Sequence, residues 1–154
     1  MKKIFLTLLL VAGSFAIQAQ ELKWETDINK AITVSNKTKK PMLLFFTGSD
    51  WCGWCIRLQK EVLKTPEFAT WAKKNVVLVE LDFPRAVPQS DAIKAQNNAL
   101  QQTFGIQGFP TIYFATAKVN AKKVPAFTGI GSTGYVAGGP KAWLAVADGI
   151  LKTK

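Results

Sequence analysis

Along this chain, apolar residues alternate between strand-like runs and helix-like stripes. A first helix is predicted over 24–39, where Trp24, Ile28, Ala31, Ile32 and Ser35 recur at three- and four-residue spacing among Lys and Asp residues. Pro41 then introduces a short, continuously apolar run over 42–46, which reads as a buried strand. A second helical stripe follows to about Leu63, with Ile56, Leu58, Val62 and Leu63 on its apolar side and Arg57, Lys60, Glu61 and Lys64 on its wet side. Thr65, Pro66 and Glu67 restart a short helix: a side-chain cap, a proline suited to the first position, and an acid at the positive end of the helix dipole.

The second clear strand covers 75–82, and its near-continuous apolar character predicts a central place covered on both faces. Residues 83–90, with Pro84 and Pro88, read as a loop; Ser90 or Asp91 caps a helix through Phe104, and Gly105 stops it. Pro110 cannot donate to a ladder, so it belongs before a third strand over 111–115. A fourth strand over 124–128 is expected to pair antiparallel with the third. Residues 129–139 read as a glycine-rich loop, and Pro140 opens a last helix that turns Trp143, Leu144, Ala147, Ile150 and Leu151 inward. There are no internal repeats and no sign of a second domain.

The first residues add a compartment. Lys2 and Lys3, the apolar stretch from Ile4 to Val11 and the small Ala19 have the layout of a secretory signal peptide over 1–19, leaving one domain over 20–154. That apolar stretch is shorter than the ~20 residues needed to span a bilayer, so no stable membrane insertion is expected. The formal charge is +10, and removing Lys2 and Lys3 leaves +8. Such a field can steer acidic partners. Nucleic acid is not an expected partner, because no recognition motif accompanies the charge and the expected location is periplasmic or secreted.

Only two cysteines occur, Cys52 and Cys55, in Trp51-Cys52-Gly53-Trp54-Cys55, between the first strand and the helix after it. An exported domain of about 135 residues can build its own core and needs no disulfide staples. A structural disulfide over so short a loop would stabilise little. With no His in the chain, a four-ligand zinc site cannot be assembled, and Ile56 stands where haem attachment requires His. No metal is expected. What remains is redox chemistry. A thiolate is the nucleophile, and a helix N-terminus favours it; Cys52 would attack and Cys55, one turn on, would resolve the mixed disulfide.

The Trp-Cys-x-x-Cys pentapeptide after a hydrophobic strand, with Gly108-Phe109-Pro110-Thr111 about 55 residues later, resembles the thioredoxin superfamily. The likeness is to its exported thioredoxin-like branch, which includes the soluble C-terminal domain of the membrane disulfide-interchange reductase, and it covers roughly 24–151. The resemblance implies an α/β thioredoxin fold, a central mixed sheet of four to five strands flanked by helices, as a thioredoxin-like domain over 20–154. It implies Cys52 as nucleophile and Cys55 as resolving thiol. It also implies a cis bond at Pro110 that leaves the Phe109 backbone to meet an extended substrate, with Trp51 and Trp54 as an apolar platform. Its partners would be disulfide-containing client proteins and a membrane or soluble thiol reductant. No cofactor and a monomeric state are expected.

The chain departs from thioredoxin itself at three places. Phe46 replaces the buried aspartate six residues before the first cysteine, Lys60 replaces the usual proline five residues after the second, and Gly53-Trp54 replaces Gly-Pro. The first change leaves Glu80, on the neighbouring strand, as candidate proton acceptor through water; Asp50 is nearer in sequence but expected to be exposed. Two other functions compete: a peptide-binding module whose thiols are idle, and a thiol metallochaperone for a soft ion such as Cu(I).

Overall fold

The structure, a computed structural model, describes residues 22–122 and 124–153. The expected signal peptide over 1–19 lies outside the described residues. Strand β1 (Trp24–Glu25) leads into helix α1 (Ile28–Thr38), then β2 (Met42–Thr47) and α2 (Gly53–Leu58), which continues as a π-helical turn over Gln59–Leu63. Helix α3 (Pro66–Asn75), β3 (Val77–Asp82), α4 (Asp91–Thr103), β4 (Thr111–Val119), β5 (Pro125–Thr133) and α5 (Gly139–Lys152) complete the order. The five strands form one mixed sheet, β1-β3-β2-β4-β5, parallel from β1 to β2 and antiparallel from β2 to β5.

Strand β2 is fully buried, and its alternating side chains divide the core in two. Leu43 and Phe45 face the cysteine layer, with Leu58, Phe68, Ile112, Phe114 and Trp143. Leu44 and Phe46 face the opposite layer, with Ile28, Ile32, Leu81 and Leu100. This register corrects one expectation. Phe46 does not occupy the place beneath the cysteine helix; Phe45 does, because the turn between β2 and Cys52 is one residue longer than a six-residue count allows. Either way an apolar ring stands where an acid was sought.

Several predicted elements differ, among them β4, which runs to Val119 where the strand was expected to end at 115. The first helix starts at Ile28, not Trp24, because Asp27 is extended and its carboxylate accepts from the Asn29 and Lys30 amides. Trp24 instead pairs with Leu78 in the edge strand, and its ring stacks on Phe68 with centroids 6.4 Å apart. The helix after Cys55 widens where Lys60 stands. The Lys64 amide reaches back to the Gln59 carbonyl, and the extra residue brings Val62 and Leu63 both into the core. Finally, β5 runs to Thr133, through much of the predicted glycine loop. Gly129 and Gly131 serve close packing there: an added Cβ would lie 2.7 Å from the Tyr113 hydroxyl at the first and 2.8 Å from Ile150 Cγ2 at the second. The predicted caps at Thr65 and Ser90 and the predicted turn at Gly105 (φ +61°) hold as expected.

Candidate active site

Strand β2 delivers the chain to Gly48, where a tight turn begins: the Trp51 and Cys52 amides both donate to the Gly48 carbonyl. Asp82, at the end of the adjacent β3, holds that turn by accepting from the Ser49 amide (2.8 Å) and the Ser49 hydroxyl (2.6 Å). Cys52 is then the N-cap of α2, and the Cys55 amide donates to its sulfur at 3.2 Å. The two cysteines are joined as a disulfide with Cα atoms 5.2 Å apart. They are not equally placed. Cys52 keeps 6% of its surface exposed and Cys55 none, and both belong to the core layer beneath the helix.

The Phe109–Pro110 bond, in the loop before β4, is cis, as the resemblance implies. The Phe109 ring meets Trp51 edge-on at 5.9 Å and stacks on Phe83 at 5.0 Å. Trp51 lies across Gly48, where an added Cβ would come within 2.4 Å of the indole, and its Nε1 donates to the Phe83 carbonyl at 2.8 Å. Trp54 lies on the other side, against Tyr135 at 5.2 Å. Trp51 is 37% exposed and Trp54 56%, so both present apolar surface beside the pair.

The acids near the pair have distinct duties. Asp50 is exposed, as expected, yet engaged: its carboxylate accepts from the amides of Arg85, Ala86 and Val87. Those bonds, led by the Arg85 amide, lower its pKa below the usual carboxylate range. Glu80 is half-buried, opposite Phe45 in the ladder, so it stands on the cysteine side of the sheet, one strand over from the missing acid. It borders a cavity of about 170 Å³ walled by Trp24, Phe45, Gln59, Leu63 and Lys64, to which neither cysteine contributes. Burial first, and then the neighbouring Asp82 charge, raise its pKa. Among the described residues no cluster of three or more His, Cys, Asp or Glu side chains is placed to hold a metal.

The end of β2, the turn after it and the helix-capping dithiol lie at the same end of the sheet as the cis-proline before β4, and a model of the thioredoxin-like domain matches residues 28–129. The chain belongs to the thioredoxin-like family. It is 33% identical over 138 residues to the disulfide bond reductase DsbH of Chlamydia pneumoniae, across 90% of this chain and 78% of that protein. A solved structure of the DsbH oxidoreductase superposes with a TM-score of 0.76 at 30% identity, covering 100% of this chain and 96% of that one. The thioredoxin-related protein DsbJ of the same organism is 35% identical over 114 residues, which is 70% of this chain but 33% of DsbJ. As a family member, the chain is a thioredoxin-like protein-disulfide oxidoreductase.

Several neighbours of the pair were not singled out by sequence. Arg57, Glu61 and Tyr135 form one cluster around Trp54: the Glu61 carboxylate accepts from Arg57 Nε (2.8 Å) and from the Tyr135 hydroxyl (2.5 Å), and the guanidinium lies over both rings. Arg85 lies 4.0 Å above the Trp51 ring. One signal was available, since Arg57 and Arg85 are the only arginines in the chain.

Proposed function

We propose that this oxidoreductase is exported by a signal peptide over 1–19, works as a domain over 20–154 in the periplasm or outside the cell, and reduces or isomerises disulfides of client proteins. The observation that carries the reading is the asymmetry of the disulfide: Cys52 caps the helix and keeps a small exposed surface, and Cys55 keeps none. In the reduced state the Cys55 amide, now 3.2 Å from the Cys52 sulfur, would stabilise a Cys52 thiolate. That thiolate attacks one sulfur of a client disulfide and forms a mixed disulfide, and the other client sulfur leaves as a thiolate and takes up a proton. Cys55, deprotonated, then attacks the Cys52 sulfur, the Cys52–Cys55 bond closes, and the client leaves with two electrons as a dithiol. A thiol reductant, soluble or in the membrane, must return those two electrons.

Trp51, Trp54, Phe109 and Pro110 would form the surface on which the client backbone lies, and Glu80 would accept the Cys55 proton through water. The raised Glu80 pKa suits that role, because burial makes its carboxylate a stronger proton acceptor than an exposed one. Glu80→Gln should therefore slow decay of a preformed Cys52–client mixed disulfide; unchanged decay removes Glu80 from the mechanism. The central test is trapping. Cys55→Ser expressed in the native host should accumulate client proteins disulfide-linked to Cys52, detected by non-reducing electrophoresis of the envelope fraction, and Cys52→Ser should not. Equal, non-covalent capture by both variants would favour a peptide-binding module instead.

A further inference from the structure

Trp51 leans on a loop, 83–89, whose outer side forms a cleft of about 420 Å³. Phe83, Pro84, Val87 and Pro88 give it an apolar floor, Gln89 and Asn98 offer amides, and Arg85 and Lys94 are its only charged lining residues. No carboxylate enters its wall. Asp50 is adjacent in the fold, but its oxygens point into the 85–87 amides. Asp82 is likewise directed at Ser49. Among the described residues no ion pair holds Arg85, and Lys94 reaches Asp91 only at 3.8 Å, with both side chains exposed. The same loop touches the site from two sides: Arg85 covers the Trp51 ring at 4.0 Å, and Phe83 stacks on Phe109 at 5.0 Å.

We propose that the cleft beside the 83–89 loop is a client subsite that receives an acidic side chain close to the client's disulfide, with Arg85 and Lys94 as its charged contacts. The volume lies in the range of pockets that take small ligands or side chains. A planar guanidinium already oriented by an aromatic face loses less freedom on meeting a carboxylate than a mobile lysine does. An acidic client would also be drawn by the net charge of +8 that remains without Lys2 and Lys3. Occupying the cleft would lay the client backbone along Trp51, towards the Cys52 sulfur. The inference rests on the redox reading above.

The test uses the reduced full domain and a set of disulfide-cyclised peptides that differ only in one flanking residue, Glu, Gln or Lys, with kcat/KM for reduction as the readout. The Glu peptide should exceed the Gln peptide by about fivefold, the upper range for an exposed ion pair, and the Lys peptide should be the poorest. The advantage should shrink towards unity in 1 M salt, where the Debye length is ~3 Å. It should also collapse in the Arg85→Gln, Lys94→Gln double variant and return in part with Arg85→Lys. Lys94→Glu should improve the Lys peptide relative to the Glu peptide. Equal rates for the three peptides in the wild type, or a Glu preference that survives the double variant, would overturn the subsite and leave the redox reading intact. Failure to reduce any of them would overturn both.

Discussion

Two tryptophans flank the same disulfide, and the structure holds them by unrelated means. Trp51 is fastened by the fold: it covers Gly48, donates to the Phe83 carbonyl and abuts Phe109. Trp54 is fastened by side chains alone, through Tyr135, Arg57 and the Glu61 that links them. The first shoulder joins three segments distant in sequence and cannot move without moving the turn that carries Cys52. The second can shift with a few rotamers. One side of the pair is thus a fixed wall and the other an adjustable shelf.

The sharpest way to break this comparison is to remove each ring in turn. Trp51→Ala should cost about 2–3 kcal/mol in the stability of the oxidised protein, at the low end for a large ring lost because Trp51 is partly exposed. Trp54→Ala should stay near 0.5 kcal/mol, as surface substitutions do. Denaturant midpoints at constant m decide it, and equal losses would erase the distinction.

Gly48→Ala should be next in size. Its Cβ would lie 2.4 Å from Trp51 Cε2, an overpacking that costs about 1–3 kcal/mol. Because the clash is with the Trp51 ring, the cost should largely disappear in a Trp51→Ala background, while Trp54→Ala should leave it unchanged. A double-mutant cycle reads that coupling directly.

The smallest effect concerns acid. Asp50 has its folded pKa held below its ordinary value of 3.8, chiefly by the Arg85 and Ala86 amides. A depressed carboxylate contributes stability that is present above the unfolded pKa and lost as pH falls through the folded one. The amide resonances of 85–87 should therefore keep their native shifts below pH 3.8 and move only at lower pH. Asp50→Asn should abolish that low-pH transition. A transition at or above the ordinary carboxylate value would mean that the loop is anchored by other contacts.

How much of this was legible beforehand depended on the range of the interaction concerned. The β2 run, the cysteine pair at a strand-to-helix junction, the Thr65 and Ser90 caps and the proline before β4 are local signals, and each appears where periodicity or capping chemistry put it. Trp24 fitted the helical stripe that follows it, but Asp27 caps that helix and the edge of β3 takes Trp24 as a strand residue. Gly129 and Gly131 looked like turn residues; their use is to let Tyr113 and Ile150 approach β5. Counting back from Cys52 placed Phe46 under the helix, and only the length of the turn could show that Phe45 is there.

The chain's own residues were enough to settle the family, the reactive pair and the sheet-and-helix plan, because strand alternation, helix caps and the Cys-x-x-Cys spacing act over a few residues and travel with the sequence. The tertiary structure alone decided which cysteine keeps a little exposed surface, where the acid on the cysteine side of the sheet stands, and that Asp50, Arg85 and Phe83 build one wall while Glu61 and Tyr135 brace the other. The hydrogen bonds in those two walls join residues 32 to 74 positions apart. Such contacts form only when the packing of two core layers brings them within hydrogen-bond reach, and no local pattern encodes that distance.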